Sequence, residues 1–357
     1  MNTQPSPQRA LRGHRPHRPT PRAATSAEAV ARLAGRLTER DRWLARMLYE
    51  HKVLTTGQIT QLAWPSARSA NLRLLRLHQW RVVDRFQPFV TYGSAPMHYV
   101  LDVAGAAVIA RQDGLEPRDL DYRHDRALGL AHSLRLAHTV ATNTFFTTLV
   151  QRSRRSDGDG RLTAWWSEAR CRGFFGDIVR PDAYGRWREK GAEFEWFLEY
   201  DWGTERPADL VGGKLPGYAQ LAATSGITTP VLFWTPTARR EERVRRALDV
   251  AAAQLEEPSL IPVATTCTDV VPGEECADPS VRRWLPLSAP ASNPGRRLCL
   301  QELPTAWPAP SATALSPVAP RPASEDPEEL EGIFGPPRPP SPQPPGTPTG
   351  RRPRKAP

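Results

Sequence analysis

The stretch Phe194-Glu195-Trp196-Phe197-Leu198-Glu199-Tyr200-Asp201, with Arg180-Pro181-Asp182 shortly before it, decides how this chain is read. Successive side chains of a strand point to opposite faces. Phe194, Trp196, Leu198 and Tyr200 therefore take one face, and Glu195, Phe197, Glu199 and Asp201 the other. An antiparallel return of the preceding strand, residues 178–187, brings Asp182 beside Glu199 and Asp201. Carboxylates gathered in a sheet repel one another, and a divalent cation of the hard, oxygen-seeking kind, Mg²⁺ or Mn²⁺, is the usual remedy. The alternative is that the acids mark the solvated face of an antiparallel sheet. Phe197 on the same face argues against full solvation, and both readings stand on the pattern alone.

Around this strand the periodicity predicts a helix over 131–152, with Leu134, Leu136, Val140, Phe145, Leu149 and Val150 as its apolar residues. Strands follow at 162–169, 178–187 and 194–201. The helical region 205–223 is weakened by Gly212, Gly213, Pro216 and Gly217, so a shorter helix starting near Lys214 is expected. A strand at 231–235, a charged helix at 238–255 and a strand at 261–265 complete an α-β-β-β-α-β-α-β order. That order describes a mixed sheet flanked by helices, an α/β unit over 130–266. Residues 267–304 form an irregular extension without clear periodicity.

Upstream, capping signals at Thr38, Thr55 and Ser66 open helices at 38–51, 55–64 and 67–80. In the third, Leu72, Leu75 and Trp80 are expected to face inward. Strands at 82–89 and 97–101 form a hairpin around Gly93, Ser94 and Pro96. Three helices and a hairpin are the order of a winged helix, whose third helix enters the major groove. Residues 64–86 carry five arginines against Asp84 alone. Arg68, Asn71, Arg73, Arg76 and Arg81 are thus the candidate DNA-binding residues, since arginine reads guanine or holds phosphate and asparagine pairs with adenine. A basic face that contacts protein is the competing reading. The winged-helix unit is assigned to 37–110 and a polar linker to 111–129.

Pro181-Asp182, then Glu199-Tyr200-Asp201 leading into Gly203-Thr204-Glu205, then Lys214 and Tyr218, resemble the motif series of the actinobacterial replication-relaxation proteins. The similarity covers roughly residues 37–255. It implies a DNA-acting protein of a plasmid or integrated mobile element, with double-stranded DNA and plasmid replication or transfer proteins as partners. The second half is implied to be a nuclease-like domain of the PD-(D/E)XK type. Carried onto this chain, Asp182 is the metal-binding aspartate and Glu199 the second acidic ligand of Mg²⁺ or Mn²⁺. Such nucleases carry a lysine two residues after the second acid, where this chain has Asp201. Lys214 is the candidate to fill that role, giving Asp182, Glu199, Asp201 and Lys214 as the catalytic set. Two functions follow: an Mg²⁺-dependent DNA endonuclease, or a non-catalytic DNA-binding protein on a degenerate nuclease fold. The absent lysine at position 201 favours the second.

The rest of the chain bounds these readings. Of 357 residues 38 are proline, concentrated at the ends, so residues 1–25 and 305–357 are expected to be disordered tails. The proline run at 336–345 is read as linker, with docking to a proline-reading groove as the alternative. The formal charge of +10, five of it in residues 1–24, favours polyanions. Four cysteines without CxxC spacing indicate neither a zinc site nor a disulfide framework. No apolar run suits a membrane span or secretory signal, so a cytoplasmic protein without membrane partners is expected. Glu168 is an additional candidate ligand, read first as a surface residue. His132 and His138, six apart on one helix, cannot jointly hold a metal and are read as core histidines.

Overall fold

The computed structural model describes residues 26–88, 90, 93–155, 159–271, 277–287, 295–307 and 338–346. The expected N-terminal tail, residues 1–25, lies outside them.

The first unit opens with α1 (Ala27–Ala34) and α2 (Glu39–His51). A reciprocal capping box starts α2: Asp41 N–H donates to Thr38 Oγ1 and Thr38 N–H to Asp41 Oδ2. Trp43, Leu44, Met47 and Leu48 are buried at the expected helical spacing. The two-residue strand β1 (Leu54–Thr55) leads into α3 (Thr56–Ala63), capped reciprocally by Thr55 and Gln58. Ser66 caps α4 (Ala67–Gln79). Strands β2 (Val83–Phe86) and β3 (His98–Leu101) close a three-stranded antiparallel sheet in the order β1-β3-β2, followed by α5 (Val103–Gln112).

Two expectations for this unit are corrected. Helix α4 buries Ala70, Leu74 and Leu77, while Leu72 and Leu75 are 61% and 43% exposed. The buried stripe runs through the small Ala70, which gives no sequence signal as strong as a leucine. Residues 111–129 are no bare linker. They contain a 3₁₀ turn (Pro117–Leu120) with Leu120 buried and the helix α6 (His124–Gly129). Tyr49 Oη donates to Leu120 O at 2.8 Å, and His124 Nε2 lies 3.2 Å from Asp84 and 3.5 Å from Asp102.

The second unit begins with α7 (Arg135–Arg155) and builds a six-stranded mixed sheet in strict chain order. Strands β4 (Arg161–Ser167), β5 (Ala183–Glu189) and β6 (Ala192–Tyr200) form an antiparallel meander. The β5–β6 turn uses Lys190 and Gly191, both at positive φ, as a two-residue hairpin turn requires. Strands β7 (Val231–Thr235) and β8 (Val263–Cys267) continue parallel to β6, and β9 (Leu285–Pro286) returns antiparallel. Four helices are interspersed: α8 (Glu168–Phe175), α9 (Pro207–Gly212), α10 (Leu215–Ser225) and α11 (Ala238–Ala252). Of these only α8 escaped the sequence reading. It is a short helix capped by Ser167, inserted between two strands.

One face of the sheet presents Trp165, Trp187, Trp196 and Trp234 to Phe145, Phe146 and Leu149 of α7. The other presents Trp166, Phe197 and Phe233 to Phe175, Tyr218, Val244 and Leu248 of the remaining helices. The first core continues without a break into Leu44, Met47, Leu48 and Ile59, so the two units share it. Polar contacts reinforce the seam: Asn143 Nδ2 donates to Val53 O at 2.7 Å and Gln58 Nε2 to Val140 O at 2.7 Å.

Beyond β8 the irregular extension carries β9 and a 3₁₀ segment (Leu300–Ala306). Its Arg283 is buried, stacked 3.9 Å from the Trp234 ring centre and donating to Cys267 O. Residues 338–346 are packed against the folded body, with Gln343 buried. This part of the expected unstructured tail is therefore ordered by docking, which composition does not reveal because its partners lie far away in sequence.

Candidate functional site

Strand register creates the site. Ala183 faces Leu198 across the β5–β6 pair, which sets Asp182 opposite Glu199 one step on, and Asp182 N–H donates to Leu198 O at 3.1 Å. Both acids are thus brought together as the alternation and the antiparallel return predict. Asp182 Oδ2 accepts the Tyr200 N–H at 2.8 Å and lies 3.1 Å from His138 Nε2. Glu199, 1% exposed, accepts the Tyr218 hydroxyl at 2.5 Å.

Lys214 sits immediately before α10, whose Pro216 occupies the first turn where a missing N–H is harmless. Gly217 lets this helix approach the segment between α8 and β5: a Cβ there would come within 2.9 Å of Ile178 O. So placed, Lys214 Nζ lies 2.8 Å from Glu199 Oε2 and 4.0 Å from Asp182 Oδ1, and donates to Arg180 O at 2.6 Å.

Asp201 does not join the pair, which corrects the expectation of three converging acids. Strand β6 ends at Tyr200, and Arg240 on the first turn of α11 captures the Asp201 carboxylate with two bonds, of 2.5 and 3.0 Å. Asp201 also accepts the Gly203 N–H at 2.8 Å, so its role is to tie the strand end to α11. Glu168 lines the same small cavity as His138 and Asp182, but its carboxylate pairs with Arg135 at 3.2 Å.

His138, which the sequence reads as a core histidine, is a member of this cluster. Nothing local distinguished it, because its partner Asp182 is 44 residues away. Tyr218 appeared in the motif series, but its bond to Glu199 became visible only with α10 in place.

The electrostatics of the two acids differ. Burial pushes the Glu199 carboxyl up to about 7, against the pull of the neighbouring Lys214 ammonium. Burial also opposes charge on Asp182, but His138, Lys214 and the Tyr200 N–H outweigh it and hold this carboxyl below the usual range. Burial disfavours the His138 imidazolium, and Asp182 overcomes that and raises its pKa. Among the described residues Asp182 Oδ1 has no hydrogen-bond donor, the Lys214 ammonium being 4.0 Å away. Of the four carboxylate oxygens this leaves Asp182 Oδ1 open, since Glu199 Oε1 is held by Tyr218 and Oε2 by Lys214.

The candidate DNA face is sorted by burial. Arg68, Asn71 and Arg76 are exposed on α4 along one stripe with Leu72, Leu75 and Gln79. Arg73 is withdrawn from that stripe: its guanidinium forks onto the buried Asp41 carboxylate and lies 5.2 Å from the Trp80 ring centre. Arg81 is likewise engaged, 3.0 Å from the buried Asp102. Both corrections have one physical cause, which is that a carboxylate buried by the fold takes the nearest guanidinium.

Fold and site define a mixed α/β protein in which a paired-acid and lysine centre is joined through a shared core to a basic helical unit. The family model described as Replication-relaxation matches residues 46–233, more than half of the chain, and the protein belongs to that family. Membership associates it with replication. No curated protein and no solved structure matches the chain at a significant level. Among the described residues no helix is long and apolar enough to cross a membrane.

Proposed function

We propose that this protein acts on DNA in the replication or transfer of a plasmid or integrated element, as a divalent-metal phosphodiesterase. The observation that carries the reading is the position of Lys214 Nζ, 2.8 Å from Glu199 and 4.0 Å from Asp182. It supports Lys214 as the cation that position 201 lacks. Asp182 and Glu199 would hold Mg²⁺ or Mn²⁺, which supplies Lewis-acid polarisation of a phosphoryl oxygen and a more acidic bound water. Lys214 offers its ammonium to the negative charge that develops on the phosphoryl oxygens during displacement. Tyr218 orients Glu199, while His138 and the Tyr200 N–H fix Asp182 and keep it ionised. The first unit, read as a winged helix, presents Arg68, Asn71 and Arg76 to the duplex.

The test is incubation of the purified protein with supercoiled and linear DNA in Mg²⁺, Mn²⁺ or EDTA. Metal-dependent nicking or cleavage that is lost in Asp182→Asn and Lys214→Met supports the reading. DNA binding without cleavage under any metal supports a non-catalytic DNA-binding protein instead. One observation favours that second reading: Lys214, His138, Tyr218 and a backbone N–H already compensate both acids internally.

A further inference from the structure

Residues 338–346, Arg-Pro-Pro-Ser-Pro-Gln-Pro-Pro-Gly, run along the seam between the two units. Trp43 Nε1 on α2 donates to Ser341 O at 2.7 Å, and Gln343 Nε2 donates to Leu162 O on β4 at 3.1 Å. Pro342, Gln343 and Pro344 are buried. Pro345 and Gly346 line one cavity with Thr38, Asp41, Trp64 and Arg73. The segment is thus held at Ser341 and at Gln343, once by each unit.

Its chemistry suits such a seat. Proline has no N–H and a fixed φ, so a proline-rich stretch forms few hydrogen bonds within itself, here Gln343 N–H to Ser341 Oγ, and loses little backbone freedom on docking. Its carbonyls remain available. A tryptophan that offers both an apolar ring and an indole N–H to those carbonyls is the usual reader of such peptides. We infer that the groove beside Trp43, between α2 and β4, is a binding site for proline-rich peptide, occupied in cis by residues 338–346. The segment then acts as a clasp across the seam, and the same groove admits a peptide of this composition in trans when the clasp is released. This inference concerns neither the acid pair nor DNA, so it stands or falls independently of the nuclease reading.

The test uses the full-length protein and a fluorescent synthetic peptide copying residues 336–346. Five proteins are compared: wild type, Pro342→Ala with Pro344→Ala to loosen the clasp, Trp43→Phe, the combination of these two, and Gln343→Ala. A tethered segment competes at high effective concentration, so the loosened variant should bind the free peptide about tenfold more tightly than wild type. Adding Trp43→Phe should weaken that binding by about fivefold, the loss of one hydrogen bond to a buried carbonyl. In thermal melts the loosened variant and Trp43→Phe should each lower the midpoint by about 2–4 °C. The combination should fall no further than the worse single variant, because an undocked clasp has nothing more to lose. Gln343→Ala, which removes only the contact to Leu162, should act in the same direction with smaller amplitude. Equal peptide binding by wild type and the loosened variant, binding unaffected by Trp43→Phe, or additive losses of stability would each overturn the inference.

Discussion

Arg170 of α8 meets Glu50 of α2 in a buried, two-bonded ion pair, with Nε to Oε1 at 2.9 Å and Nη2 to Oε2 at 2.7 Å. Glu50 also accepts from the Ser167 N–H and hydroxyl. The pair bolts the basic helical unit to the sheet that carries the acid centre. Burial works against the Glu50 charge, but Arg170, the neighbouring charges and the Ser167 N–H outweigh it and hold this carboxyl below its ordinary range.

Removing one partner should therefore cost far more than removing both. Arg170→Met leaves a buried carboxylate uncompensated and should lower stability by about 3–5 kcal/mol at neutral pH. The loss should shrink toward pH 4, where the unpaired Glu50 accepts a proton. Glu50→Met with Arg170→Met should recover much of the loss. Denaturant melts of the four proteins at two pH values form the check.

The acid centre gives a pH signature. A carboxyl with a pKa of about 7 is largely protonated at pH 6 and ionised at pH 8. If Glu199 and Asp182 hold a divalent ion, Mn²⁺ affinity should rise about tenfold across that interval, since the ligand must be deprotonated. Glu199→Gln and Asp182→Asn should each remove most Mn²⁺ binding. Calorimetric titration reads the outcome, and binding that is independent of pH would reject Glu199 as a ligand.

The exposed and withdrawn arginines of α4 should behave differently. Arg68→Ala with Arg76→Ala should weaken duplex binding and flatten the slope of log affinity against log salt by about 0.9 per lost phosphate contact. Arg73→Ala should instead lower the melting midpoint, because Asp41, 1% exposed, loses its counter-charge. Salt-dependent binding isotherms alongside melts separate the two. A stability effect from Arg68 and Arg76, with no change in DNA affinity, would refute this division.

His51 predicts acid sensitivity. Burial pushes its pKa down to about 3, and its ring stacks on Trp165 at 3.6 Å. Neither ring nitrogen has a hydrogen-bond partner among the described residues. The unfolded chain binds a proton near pH 6.5 while the folded protein does not, so this group's stabilisation is complete above pH 6.5 and is lost as pH falls toward 3. His51→Phe preserves the stack and removes the titration. The melting midpoint of that variant should decline less steeply below pH 6.5 than wild type, and parallel declines would disprove the assignment.

Much of the frame was legible from local pattern. Thr38, Thr55 and Ser66 announced three helices through the side chains that satisfy the free N–H groups of a first turn. The alternation in 194–201 announced β6 and put Glu199 on the face of Phe197. Asp182 followed because an antiparallel hairpin fixes the residue opposite. Leu72 and Leu75 misled because leucines can occupy a solvent-facing stripe, and hydrophobicity alone does not choose between neighbouring stripes of a helix.

What the sequence by itself determined is most of the elements and their order, with α6, α8 and β9 among the exceptions, and the mixed sheet whose register sets Asp182 opposite Glu199. These rest on periodicity and on contacts between successive strands. Only the tertiary structure decided which charges are spoken for. Arg240 takes Asp201, Asp41 takes Arg73, Asp102 engages Arg81, and Lys214 and His138 enter the centre. Seating residues 338–346 on Trp43 is a decision of the same kind. The reason is common to all: a charged or polar group buried by packing must take whatever partner the fold brings within about 3 Å, and that partner's place along the chain has no bearing on the choice.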